Sequence, residues 1–160
     1  MRVQEYTEFM LERITIQWLA GFFDGEGGVS IYKSAQGWRS KATLTQNDKS
    51  LLEAIKVRFP EFHFDGPRRK WGLKLDGTHK QGYEITVHGS LYLSVLLEAL
   101  KPLVIRKLME VEVGLEFCSR VAKHEKGKKR YKLAATENSI RMDLAEKMRA
   151  ARKSDSIVVN

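Results

Sequence analysis

The chain has 160 residues, is 42% hydrophobic and carries a net charge of +8. That length suits one domain with a real apolar core, and no apolar run reaches the roughly 18 residues needed to cross a bilayer, so no membrane partner is expected. The single Cys118 excludes an internal disulfide, and the four histidines lack ligand spacing, which argues against zinc. The polar opening from Met1 to Glu12 is not the pattern of a secretory signal, so an intracellular, reducing setting is expected, organellar or prokaryotic. A basic balance suits a polyanionic partner, because Lys and Arg release the counterions condensed on phosphates.

Phe9, Met10, Ile14 and Trp18 recur at helical spacing, so residues 6–17 are expected to lead into the first helix. That helix continues through Leu19-Ala20-Gly21-Phe22-Phe23 and closes on two carboxylates, Asp24 and Glu26, set among Gly25, Gly27 and Gly28. A glycine inside a helix costs roughly 1 kcal/mol against alanine, so Gly21 implies close approach of another backbone. After Gly28 the period switches to two. Val29, Ile31 and Lys33 share one face, and Ser30, Tyr32 and Ser34 the other. Ser34-Ala35-Gln36-Gly37 reads as a hairpin turn, and the return strand alternates Trp38, Ser40, Ala42 and Leu44 against Arg39, Lys41, Thr43 and Thr45.

Asn47 or Asp48 can cap a helix over about 48–58, which Pro60 ends. A second pair of strands is expected over about 62–75 and 82–88, with Asp76-Gly77 opening the loop between them. Arg68, Lys70 and Lys74 fall on one face of the first of these; on the second, Glu84, Thr86 and His88 oppose Tyr83, Ile85 and Val87. Ser90 can cap a leucine-rich helix to about Leu100, Pro102 marks a break, and a longer helix is expected over about 103–121. A Lys- and Arg-rich loop covers 123–132, and Thr136 starts a last amphipathic helix, with a frayed tail after Lys153.

The expected architecture is a single α+β domain over 1–153 with a tail at 154–160. One four-stranded antiparallel sheet carries helices on one face, in the order αββαββα plus C-terminal helices. The other face would present Ser30, Tyr32, Ser34, Arg39, Lys41, Thr43, Arg68, Lys70, Lys74, Glu84 and Thr86. A polar, basic two-stranded ribbon of this kind can enter a major groove and read base edges. Glu26, at a glycine-rich helix end where nothing bulky blocks a phosphate, suits a divalent cation, with the Gly25 carbonyl as a second ligand.

Leu19-Ala20-Gly21-Phe22-Phe23-Asp24-Gly25-Glu26-Gly27 closely resembles the signature of the LAGLIDADG homing endonucleases. The likeness covers most of residues 10–115 and implies that family's saddle-shaped sheet. It also implies Glu26 as metal carboxylate, Gln46 as the residue positioning the attacking water, and Lys107 as the group offsetting developing negative charge. Many relatives carry Asp where Glu26 stands; Glu supplies the same carboxylate one methylene further out. Asp24 is assigned to capping or orientation. With one motif copy, cutting both strands implies a homodimer with Trp18, Ala20, Gly21 and Phe22 at the two-fold axis. The implied activity is a Mg²⁺- or Mn²⁺-dependent staggered double-strand break at a long pseudo-palindromic DNA site, by an intron- or intein-encoded enzyme. The rival reading is a non-cleaving nucleic-acid-binding protein, an intron maturase or a DNA-binding regulator. Glu26, Gln46 and Lys107 together favour the enzyme, since binding alone needs no metal carboxylate.

Overall fold

The computed structural model describes residues 3–73, 79–125 and 135–157. The chain opens with two helices, α1 (Val3–Arg13) and α2 (Ile16–Glu26). A single continuous helix is not formed, because Thr15 adopts an extended backbone and its hydroxyl oxygen accepts the Trp18 N–H at 3.2 Å. That side-chain cap satisfies an otherwise orphaned donor and makes Thr15 the start of a new helix.

Strands β1 (Gly27–Ser34) and β2 (Gly37–Gln46) form the first hairpin. Ser34 pairs with Gly37, and the Ser34 hydroxyl bonds the Gly37 carbonyl and accepts the Gln36 N–H. Gly37 has φ of +109°, a conformation that L side chains rarely adopt. Helix α3 (Lys49–Arg58) is capped by Asp48, whose Oδ1 accepts the N–H groups of Ser50 and Leu51. A 3₁₀ turn at Pro60–Phe62 follows and stacks Phe59 on Phe62, with Phe64 edge-on.

Strands β3 (Asp65–Leu73) and β4 (His79–His88) form the second hairpin, with a register irregularity between Asp65 and Arg68. All pairings are antiparallel, in the spatial order β1-β2-β4-β3. Lys74 and the Asp76-Gly77 loop start lie outside the described residues, as do most of the basic loop and the last three residues.

Helices α4 (Ser90–Leu100), α5 (Leu108–Glu125) and α6 (Ala135–Ile157) complete the chain. Ser90 is the first residue of α4 and does not cap it: the cap position is Gly89, with no side-chain cap bond. Helix α5 begins five residues later than expected, since residues 101–107 form turns and bends instead of helix. The last helix continues past Lys153, through Ile157.

The alternation read from sequence is realised in burial. Val29, Ile31, Ala42, Leu44, Ile85 and Val87 face inward against Leu19, Phe23, Leu52, Leu97 and Phe117. Helix α5 comes close to the sheet because it carries Gly114 there. A Cβ at that position would stand 2.7 Å from Leu97 Cδ1 and 3.1 Å from Val29 Cγ1. Across the top of the α5–α6 contact, Glu137 and Arg141 form a buried pair at 2.9 Å, and Asn138 accepts the Trp38 indole N–H at 2.9 Å.

Candidate active site and nucleic-acid interface

The site is built where α2 turns into β1. Gly27 closes the helix by donating its N–H to the Phe23 carbonyl. A side chain is excluded there, since a Cβ would stand 2.5 Å from the Phe23 ring. The Glu26 side chain is exposed and makes no hydrogen bond or ion pair with any described residue. Val29 N–H is the donor that a continued helix would give to the Gly25 carbonyl; instead it goes to Glu110 Oε2 at 2.9 Å. The Gly25 carbonyl thus lacks its i+4 partner at the negative end of the α2 dipole. An exposed carboxylate and an unused carbonyl at a helix C-terminus are hard oxygen donors in a cation-favouring field. They fit Mg²⁺, which needs only one or two protein carboxylates plus waters and phosphate oxygens. No cluster of three or more His, Cys, Asp or Glu forms a closed metal cage among the described residues.

Asp24 behaves quite differently from Glu26. Its Oδ2 accepts the N–H groups of Ile105 and Arg106 at 2.7 and 3.3 Å, and its Oδ1 accepts Lys107 N–H at 3.0 Å. One carboxylate therefore holds the turn before α5 against the end of α2, which explains why α5 starts late. The orientation role assigned to Asp24 from sequence is what this geometry provides. By the same bonds the backbone of Lys107 is held close to the Glu26 end of α2.

The Lys107 side chain is largely buried, and Nζ lies 3.5 Å from Glu110 Oε1. Glu110 is itself 1% exposed. Gln46 ends β2, two residues beyond Leu44, the partner of Gly27 across the hairpin. That register puts Gln46 at the same sheet end as Glu26; its Oε1 accepts the neighbouring Asn47 N–H at 2.7 Å. Glu26 and Gln46 thus lie at the same end of the first hairpin, and the Lys107 backbone is tied to the end of α2 that carries Glu26.

Glu110 is the residue that sequence reasoning missed. Its signal lay in helical spacing: Glu110, Gly114, Phe117 and Val121 recur on the buried face of α5, and an acid heads that stripe.

The open sheet face is continuous across all four strands. Ser30 pairs with Lys41 and Tyr32 with Arg39; Lys41 then meets His88, Thr43 meets Thr86, and Glu84 meets Arg68. Paired residues share a face, so these side chains line one surface. Its cations are partly engaged: Lys70 bonds Glu84 at 2.8 Å, Arg68 pairs with Asp65, and Arg39 bonds Gln36. Thr86 departs from expectation. It is buried at 7% on the crowded central strand and its hydroxyl donates to Glu84, so it supports a groove residue instead of presenting itself. Ser30, Tyr32, Ser34, Lys41, Thr43 and Glu84 are half-buried, and Arg39, Arg68 and Lys70 stand exposed.

On the outer side of α2, Trp18 stacks on Phe22 with ring centroids 5.1 Å apart and planes 11° apart. Gly21 is exposed, with nothing within 4 Å of where its Cβ would stand. Ala20 points the other way: it is 1% exposed and packs in the core of its own protomer, so it does not belong to this outer stripe. The helical period carries the stripe through Trp18, Gly21, Phe22 and Gly25 instead. Cys118 takes no part in the site. Burial pushes its thiol up to about 11, so it stays protonated at neutral pH.

A four-stranded antiparallel sheet with helices on one face and a carboxylate-tipped glycine helix at one end defines an α+β domain. The model of the LAGLIDADG-like domain matches residues 14–100, more than half of the chain, and the chain belongs to the LAGLIDADG family. Among solved structures, the fold is similar to the LAGLIDADG meganuclease I-AabMI bound to uncleaved DNA, with 20% identity and a TM-score of 0.60 over 82% of this chain and 44% of that one. The homing endonuclease I-GzeII in complex with its DNA target gives 21% identity and a TM-score of 0.61, again over 82% and 44%. The archaeal intron-encoded homing endonuclease I-Vdi141I, complexed with DNA, gives 19% and 0.61 over 88% of this chain and 85% of that one. The chain therefore spans less than half the length of the first two and most of the third. Comparison with curated protein sequences finds no significant match. No helix among the described residues is long and apolar enough to cross a membrane.

Proposed function

We propose that this protein is a site-specific DNA endonuclease of the homing type. It binds a long pseudo-palindromic duplex as a homodimer and makes a staggered double-strand break by metal-dependent phosphodiester hydrolysis. The observation that carries this reading is the state of Glu26: an exposed carboxylate without a partner among the described residues, beside a Gly25 carbonyl that lacks its i+4 donor, next to the turn that bears Lys107. A binding surface needs no such carboxylate; left facing DNA, it would repel phosphate.

The roles follow from position. The sheet face holds the duplex, with Arg39, Lys41, Arg68 and Lys70 on phosphates and base edges. Glu26 and the Gly25 carbonyl hold Mg²⁺ or Mn²⁺, which when bound activates water and stabilises phosphoryl charge. Gln46 orients the attacking water by hydrogen bonding. Lys107 places an ammonium where negative charge grows on the phosphorus oxygens and the leaving alkoxide.

The test is selection of a cut site from a randomised duplex library in Mg²⁺, followed by Glu26→Gln. That change keeps the shape and removes the charge. Cleavage should fall by orders of magnitude, since the ion's share of transition-state stabilisation is several kcal/mol and each 1.36 kcal/mol is tenfold in rate. Target binding in Ca²⁺ should hold or tighten slightly. A variant that cleaves at the wild-type rate would remove the metal assignment. A wild-type protein that binds tightly yet never cuts would replace the endonuclease with a maturase or regulator.

A further inference from the structure

We infer that Glu110 is a positioning residue for the cleavage site, tying Lys107 to the strand that leaves the Glu26 carboxylate; this rests on the functional reading above. Glu110 lies on α5, yet its two oxygens serve two different partners. Oε2 accepts Val29 N–H at 2.9 Å, and Oε1 lies 3.5 Å from Lys107 Nζ. Val29 is three residues beyond Glu26, and Lys107 is three residues before Glu110 on the same helix end. A single buried carboxylate thereby fixes the distance between the two groups proposed to act on one phosphate.

Glu110 is 1% exposed, and burying a carboxylate is expensive unless it is paired and hydrogen-bonded. A neutral residue could pack at the head of the inward α5 stripe at lower cost. A charge kept there needs both partners, and each partner is next to the chemistry. The Gly25 carbonyl, among the last four of α2, has no intrahelical donor, and the Val29 N–H that follows in β1 is taken by Glu110. Gly28 packs against the same carboxylate: a Cβ there would stand in van der Waals contact with Glu110 Oε2 at 3.7 Å and 3.3 Å from the Arg152 guanidinium.

The experiment is a double-mutant cycle on the full chain with Glu110→Gln and Lys107→Met, read by thermal melting, by DNA affinity in Ca²⁺ and by single-turnover cleavage in Mg²⁺. The glutamine keeps an acceptor for Val29 N–H but has no charge to hold the ammonium. Glu110→Gln should leave target affinity unchanged and slow cleavage about ten- to a hundredfold, the scale expected when a catalytic group is misplaced by an ångström. In the Lys107→Met background it should slow cleavage no further. Lys107→Met alone strands a buried carboxylate and should lower the melting temperature; adding Glu110→Gln should restore it. Cleavage losses that simply add, or a Glu110→Gln rate equal to wild type, would overturn the inference while leaving the endonuclease intact. Should Glu110→Gln fail to fold, Lys107→Met decides: a wild-type melting temperature for it means the pair does not exist. A wild type that cuts no DNA withdraws the functional reading and this role with it, and the melting cycle still reports separately on the pair.

Discussion

Asp24 and Glu26 are two residues apart on one helix, yet their carboxylates are used in opposite ways. Two steps on a helix turn through about 200°, so one acid meets the turn before α5 and the other meets solvent. Asp24 spends both oxygens on three backbone N–H groups, and Glu26 spends none. The first therefore belongs to folding and alignment, while the second is left open to solvent, where the proposed cation would bind. Asp24→Ala should cost about 1–3 kcal/mol in denaturant unfolding, because the N–H groups of residues 105–107 lose a charged acceptor. Asp24→Asn, which keeps one acceptor oxygen, should cost less. Cleavage by both should fall, since Lys107 is then no longer held at the end of α2. An alanine variant as stable as wild type would show that the clamp contributes nothing and that α5 is placed by packing alone.

On the proposed reading the sheet would bind DNA through a balance of charge, and that balance is set by strand register. Glu84 sits opposite Arg68 and bonds Lys70, so part of the cationic face is already neutralised within the chain. Lys41 has no carboxylate partner among the described residues and lies 6.0 Å from the Tyr32 ring centroid. Lys41→Ala should therefore reduce the slope of log affinity against log salt by about one. Glu84→Gln should raise affinity for any duplex, because it frees Lys70 and removes a negative charge from the groove. If alanine at Arg39, Lys41, Arg68 and Lys70 each left affinity and salt slope unchanged, DNA would not lie on this face. The sheet itself was legible because a half-buried strand must alternate; Val29, Ile31, Ala42 and Leu44 betray both their elements and their inner face. The cap at Asp48 was legible for a similar local reason. The break at Thr15 was not, since its hydroxyl cap interrupts a run whose apolar spacing stays helical. The late start of α5 was invisible too, being imposed by Asp24 from 81 residues away in sequence. In the candidate site, the exposure of Glu26 at a glycine-flanked helix end was legible, whereas Glu110 looks like any helical acid until the fold brings it against Val29. Lys70 and Thr86 were read as free groove residues because ion pairs and crowding across strands leave no local trace.

At the scale of the whole molecule, one protomer offers one such site and one saddle. Two strand cuts call for two, and the outer stripe of α2 is where a second copy would fit. Trp18 and Phe22 form a stacked aromatic ledge on a helix surface otherwise exposed, beside a glycine with open space above it. Ile105 is 85% exposed and Met109 60% exposed at the turn that Asp24 ties to the same helix, so the apolar surface continues past the helix end. A two-fold axis along α2 would bury these residues and bring the two Glu26 ends near each other, one for each strand. Charge opposes the pairing: each copy carries +8, twice that for a dimer, so association should strengthen with salt or on DNA, where phosphates screen the repulsion. Gly21→Leu isolates the contact. Nothing in the protomer lies within 4 Å of the new Cβ, and replacing a helical glycine raises helix propensity by roughly 1 kcal/mol. The variant protomer should be as stable as wild type or more so, while a branched side chain holds two α2 helices apart. Sedimentation of wild type on its target should give twice 18.4 kDa plus the duplex; the variant should bind one half-site at a time and nick instead of breaking both strands. Wild-type protein that sits on its DNA as a monomer, or a Gly21→Leu variant that still sediments as a dimer, would put the second active site somewhere other than across this helix.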